Sequence, residues 1–145
     1  MTMLQGPGFP PNVLNYPKYL SWSLRIVAAV ILTQSLIYKF GAHPDSVMLF
    51  STLGVEPFGR IALGVIELLV AILILNPKTT LLGALMGTMI MIGALGAHIF
   101  QIGIIFNNDG GKLFGLALVC FLACVGQVFI LKNQLISFIK KRYVI

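Results

Sequence analysis

The sequence predicts an all-α transmembrane four-helix bundle with a short amphipathic helix in its first outer loop. The mean hydropathy is +0.97. Of the 145 residues 58% are hydrophobic and 10% charged, whereas a soluble domain carries charge on roughly a quarter of its residues. Four apolar runs approach the roughly 20 residues that a spanning helix needs: Leu20 to Phe40, Phe58 to Leu75, Leu81 to Phe106 and Leu113 to Leu131. This pattern excludes an ordinary cytosolic enzyme. Two Cys and two His are too few for a disulfide scaffold or a Cys-rich zinc module, and no metal site is expected.

The chain reads as three regions: a lead over residues 1–19, a four-span membrane domain over 20–131 and a basic amphipathic tail over 132–145. The lead carries Pro7, Pro10, Pro11 and Pro17 with two Gly, which suits a flexible or interfacial segment. It lacks the basic n-region and cleavage site of a signal peptide, so the first span is expected to act as its own insertion signal.

The connection Gly41 to Pro57 is longer than a turn. Pro44, Asp45 and Ser46 form a helix start, Val47, Met48, Leu49, Phe50 and Leu53 are apolar, and Gly54 is a plausible stop. This predicts a short helix over the outer mouth. Between the second and third spans, Asn76 to Thr80 is a tight inner turn in which Thr79 or Thr80 is expected to cap the third helix. Asp109, Gly110 and Gly111 mark a short outer turn before the fourth.

Four spans place both termini on one side. That side collects Lys18, Arg25, Lys78, Lys132, Lys140, Lys141 and Arg142, and the other collects Lys39, Arg60 and Lys112. The surplus puts the termini inside. The net charge of +6 is then an orientation signal, with the tail expected on anionic lipid. No basic cluster with interleaved aromatics points to nucleic acid outside the last residues. Arg25 is shallow enough to reach headgroups.

Close helix packing is expected at the third span, where Gly83 and Gly87 form a GxxxG and Gly93 and Ala97 repeat the spacing. Cys120 and Cys124 share a face of the fourth helix and read as small packing residues, because an intrahelical disulfide at that spacing has poor geometry. Gln127 reads as an amide that joins helices.

The candidate site is a set of polar side chains inside the bilayer. Glu67 lies about 13 Å below the outer end of its run at 1.5 Å per residue, near mid-depth. A bare carboxylate there costs at least about 2.5 kcal/mol, so it must be protonated, paired or wetted. His98 lies about 12 Å below Phe106 by the same rise, which predicts that Glu67 and His98 form one unit. Gln101 shares His98's face, Gln34 lies about 9 Å below Phe40, and Lys39 either snorkels outward or bends toward Glu67.

These pieces give the sequence a resemblance to the DoxX family of small four-helix membrane proteins, running from about Arg25 to Leu131. It is carried by Arg25 to Phe40 ending Tyr38-Lys39-Phe40-Gly41, by Phe50-Ser51-Thr52-Leu53-Gly54-Val55, by Gly64-Val65-Ile66-Glu67-Leu68, and by Gly93-Ala94 through His98. Lys39, Glu67 and His98 match polar positions of the family pattern, so the resemblance implies that they belong together. Members of that family include a subunit associated with thiosulfate:quinone oxidoreductase and others linked to membrane thiol oxidation. The resemblance therefore implies an integral protein of a bacterial cytoplasmic (inner) membrane, accessory to a larger redox subunit.

The expected function is a redox accessory with an outer-half pocket for a quinone or similar apolar ligand, in which Glu67 and His98 bond its oxygens or relay protons and Lys39, Gln34 and Gln101 line it. The chain carries no flavin or dinucleotide fingerprint, no CxxC and one intramembrane His, so it departs from a self-sufficient enzyme of that kind and bis-His haem ligation within one chain is not expected. The alternative is a non-enzymatic protein in which the same cluster holds a lipid or metabolite, or orders a scaffold. A homo-oligomer fits either reading without being indicated by the sequence.

Overall fold

The computed structural model describes residues 16–143, so most of the 1–19 lead lies outside the described residues. The helices are α1 (Tyr16–Phe40), α2 (Pro44–Thr52), α3 (Phe58–Leu75), α4 (Thr80–Ala97) and α5 (Lys112–Tyr143), with a π-helical turn His98–Ile102 closing α4. Among the described residues four segments are long and apolar enough to cross a membrane: Lys18–Phe40, Phe58–Leu75, Thr80–Ile102 and Lys112–Lys132. They form a ring in which α1 and α4 each pack on both α3 and α5, while α2 leans on α1 and α3 at one end. We call that end the α2 end, and the other, which carries the α3–α4 connection, the turn end.

The core is a single cluster from all four spanning helices, including Ala28 and Leu32 of α1, Val70 and Ile74 of α3, Met91 of α4, and Cys120 and Cys124 of α5. Outward faces are equally apolar: Val30, Ile72, Met89 and Phe129 are all exposed. In water such a surface would aggregate; in a bilayer it costs nothing, because lipid tails are as apolar as the side chains. The protein is an integral membrane helix bundle.

Helix α2 forms where the sequence places it. Pro44 occupies the first turn, His43 accepts the Asp45 N–H through Nδ1 at 3.3 Å, and Gly54 takes φ +74 where the chain leaves the helix. The third span ends earlier than expected. Instead of running to Phe106, the helix closes at Ile102, where the Gly103 N–H reaches the His98 carbonyl at 2.7 Å; Gly103 takes φ +92, which ends the run. In contrast α5 continues past the bilayer, and the basic tail expected over 132–145 is its last part, to Tyr143.

The turn end corrects two expectations. Thr79 and Thr80 do not cap α4 through their side chains. Their hydroxyls donate backward, Thr79 to the Leu73 carbonyl at 2.9 Å and Thr80 to those of Asn76 at 2.8 Å and Ile74 at 3.2 Å. Arg25 does not reach for headgroups either; it is 5% exposed and donates through Nε to Ile74 O at 2.8 Å and through Nη2 to Leu75 O at 2.7 Å. With the Asn76 N–H on Ile72 O at 3.2 Å, all four terminal carbonyls of α3 have donors. A helix end packed against neighbouring helices demands this, since its last carbonyls have no partner within the helix.

The expected close packing of α4 is intramolecular. A Cβ on Gly83 would stand 2.7 Å from the Ile74 backbone nitrogen, and one on Gly87 2.7 Å from Cys124 Sγ. Among the described residues Gly93 meets nothing within 4 Å, so the second small-residue repeat makes no such contact there. Gln127 joins α5 to α1 through Nε2 on Ser21 Oγ at 2.6 Å. Cys120 and Cys124 are buried free thiols.

Candidate functional site

Glu67 is paired with Lys39. The Lys39 Nζ to Glu67 Oε2 distance is 2.9 Å, with the two side chains 12% and 4% exposed. Ser35 donates its hydroxyl to the same oxygen at 2.9 Å and also contacts Lys39 Nζ. Ser35 and Lys39 lie four residues apart on α1, so one face of that helix presents a hydroxyl and an ammonium to a single carboxylate. Lys39 thus bends inward, and the carboxylate is met by an ammonium and a hydroxyl.

The surroundings hold this arrangement in place. Phe50, the buried residue of α2, places its ring centroid 6.0 Å from Lys39 Nζ, at the outer limit of a cation–π contact. Arg60 is buried; it pairs with Glu56 through Nη2 at 2.8 Å and Nε at 2.8 Å, and its Nη1 donates to the Lys39 carbonyl. The absence of a side chain at Gly64 admits the Phe40 ring, to which a Cβ would stand at 2.9 Å. The Lys39–Glu67 ion pair and, nearer the mouth, the bond from Arg60 to the Lys39 carbonyl therefore clamp the end of α1 to α3 beneath α2.

His98 is not part of this unit. It is 5% exposed, its Nδ1 bonds the Gly103 carbonyl at 2.9 Å, and its ring meets Phe114 edge-on at 5.9 Å between centroids. A carbonyl only accepts, so Nδ1 carries the proton and the Nε2 lone pair is the ring's basic position when neutral. The expected match of depth fails: Gly83 lies against Ile74 and Gly87 against Val70, a register that sets Met91 near the level of Glu67 and leaves His98 about 10 Å further toward the α2 end. That gap exceeds one helical turn.

Neither glutamine joins the cluster. Gln101 is exposed, and Gln34 faces a lipid-side groove with Ile26, Val30 and Leu75. Sequence reasoning missed Ser35, whose signal was its place four residues before Lys39, and Arg60, whose signal was Glu56 four residues before it. The lid formed by Phe50 had no such signal, because only the path of the Gly41 to Pro57 connection brings it over α1.

Asp109 organises the second connection at the α2 end. Its Oδ1 accepts the N–H of Phe106 at 3.0 Å and of Gly111 at 2.8 Å, and its Oδ2 that of Leu113 at 3.0 Å. Desolvation pushes its pKa up, but these three N–H donors and the nearby His98 together outweigh it and hold the carboxyl below its ordinary value. Asn107 Nδ2 donates to Asp45 Oδ1 at 2.8 Å, tying this loop to α2. Among the described residues, no group of three or more His, Cys, Asp or Glu side chains is placed to hold a metal ion.

No protein-family model, curated protein or solved structure matches this chain. The resemblance to the DoxX family thus stands on the quoted residues alone.

Proposed function

We propose that this is a DoxX-like membrane subunit, accessory to a membrane redox system, whose Lys39–Glu67–Ser35 unit binds the oxygen-bearing head of a quinone-type ligand. One observation carries the reading: an ion pair with a 4% exposed carboxylate deep in a bilayer-spanning bundle, where two apolar side chains would cost less. Such groups inside membranes most often serve function. The chemistry suits the ligand class. Lys39 and Ser35 donate to a carbonyl oxygen, and Glu67 accepts from a hydroxyl, so the unit would bond either redox form. His98, with its lone pair on Nε2, would be a separate proton carrier near the α2 end.

A second reading has its own support. Glu67 already has two partners, and two open grooves on the lipid-facing surface are lined by neither Glu67 nor His98. In that reading the ion pair orders the bundle and the protein is a non-enzymatic lipid-binding or scaffold subunit. Solvent extraction of the purified protein separates the two. The redox reading expects a quinone absorbance that bleaches on borohydride reduction, in near-stoichiometric amount and lost in Glu67→Gln. Lipid without quinone in the wild-type extract would sink it and favour the second reading.

The surplus of Lys and Arg at the turn end supports an orientation with that end in the cytoplasm, and the DoxX-like reading goes with a bacterial inner membrane.

A further inference from the structure

The turn end has no acidic side chain of its own. The four acidic side chains are Asp45, Glu56, Glu67 and Asp109, of which Glu67 is paired with Lys39 at mid-span and the other three lie in or beside the connections at the α2 end. Seven of the ten Lys and Arg, by contrast, are Lys18, Arg25, Lys78, Lys132, Lys140, Lys141 and Arg142, toward the turn end or on the α5 extension beyond it. Arg25 is occupied by the α3 carbonyls. Lys132 is exposed, and among the described residues no carboxylate pairs with it.

Lys132 also stands at the foot of a groove. Between α4 and α5 an apolar trough of about 500 Å³ opens to the lipid side, lined by Leu85, Met89, Val125, Val128 and Phe129, with Lys132 at its end. The Thr88 hydroxyl on its wall is turned to the Ala84 carbonyl at 2.8 Å, so the trough offers a chain nothing polar. The spanning part of α5 ends at Lys132, which sets the ammonium at headgroup level. From there Val125 lies about 10 Å deeper along the helix. An ammonium at the interface above an apolar trough running inward matches a phosphate with an acyl chain below it.

We propose that this trough is a binding site for one anionic phospholipid of the surrounding bilayer, its phosphate on Lys132 and an acyl chain between α4 and α5. The charge asymmetry decides the headgroup class: among the described residues no acidic side chain at the turn end competes for the ammonium, and a zwitterionic headgroup brings its own cation beside it. The site is independent of the Lys39–Glu67 unit and of any quinone.

Native mass spectrometry of the full chain, exchanged in detergent against equimolar phosphatidylglycerol and phosphatidylcholine of identical chains, tests this. Wild type should retain one phosphatidylglycerol in preference to phosphatidylcholine. Lys132→Gln should lower that preference about fivefold, the effect of one basic residue at an anionic surface, while Val128→Trp, which fills the trough from its lipid side, should lower retention of both lipids. Lys140→Gln, exposed on the same helix beyond the trough, should leave the bound lipid unchanged. Equal retention of the two lipids by wild type would overturn the proposal. So would a Lys140→Gln effect as large as that of Lys132→Gln, which would mean diffuse attraction rather than a site.

Discussion

At the scale of single residues, the Lys39–Glu67 pair is an asymmetric liability. Removing one partner leaves a buried charge uncompensated, whereas removing both leaves none. Lys39→Met and Glu67→Leu should each lower stability by about 3 kcal/mol, and the double variant should lose far less than the sum. Thermal unfolding in detergent reads this directly, and additive losses would mean that the two groups do not interact. Ser35→Ala should cost less, about 1 kcal/mol, because Glu67 keeps the ammonium. Asp109 gives a pH dependence of known sign. Its folded pKa lies below the ordinary 3.8, so its stabilisation is complete above that value and is lost as pH falls through the folded pKa. Hydrogen exchange at Phe106, Gly111 and Leu113 should therefore accelerate only below about pH 3.8, and Asp109→Asn should remove this acid step.

At the scale of elements, the two faces of α4 should respond differently to the same change. Gly83→Ala drives a methyl into the Ile74 backbone and Gly87→Ala drives one into the Cys124 thiol, both at 2.7 Å, while Gly93→Ala enters open space. Backbone yields less readily than a side chain, so the loss of stability should rank Gly83→Ala above Gly87→Ala, with Gly93→Ala neutral or slightly stabilising. A large loss for Gly93→Ala would place that face against a partner helix. Arg25 shows a helix end completed from outside its own chain segment: α3 closes on carbonyls that α1 satisfies. Arg25→Leu should free the Ile74 and Leu75 carbonyls to different degrees, since Thr80 still serves Ile74, and should loosen the turn end without disturbing the Lys39–Glu67 pair.

At the scale of the whole molecule, four crossings put the ends of α1 and α5 that lie away from α2 on one side of the membrane. Single cysteines introduced by Ser51→Cys in α2 and Lys140→Cys near the end of α5 should react with an impermeant maleimide from opposite faces of sealed vesicles. The native Cys120 and Cys124 are fully buried and should stay silent, which keeps the background clean. If both introduced thiols label from the same face, the four-crossing topology fails. If they label from opposite faces but with Lys140→Cys outside, the topology stands and the cytoplasmic assignment of the turn end is wrong.

How much of this was legible in the sequence follows from how local each cause is. The four crossings, α2 with its Pro44 start and Gly54 stop, and the small residues of α4 were all readable, because hydropathy, proline chemistry and side-chain size act within a few residues of where they are written. The need for a partner at Glu67 was readable too, since the cost of a carboxylate in lipid depends only on its depth. The identity of that partner was not. Lys39 rather than His98 meets Glu67 because the register of α4 on α3 carries His98 past the level of Glu67, and because the end of α1 packs on α3 at Gly64, one turn from Glu67. Arg25 and the two threonines likewise serve α3 only once α1 and α4 are packed beside it. Composition sets the demand that every buried polar group be satisfied; which groups satisfy one another is set by helix ends and helix neighbours, and those exist only in the assembled bundle.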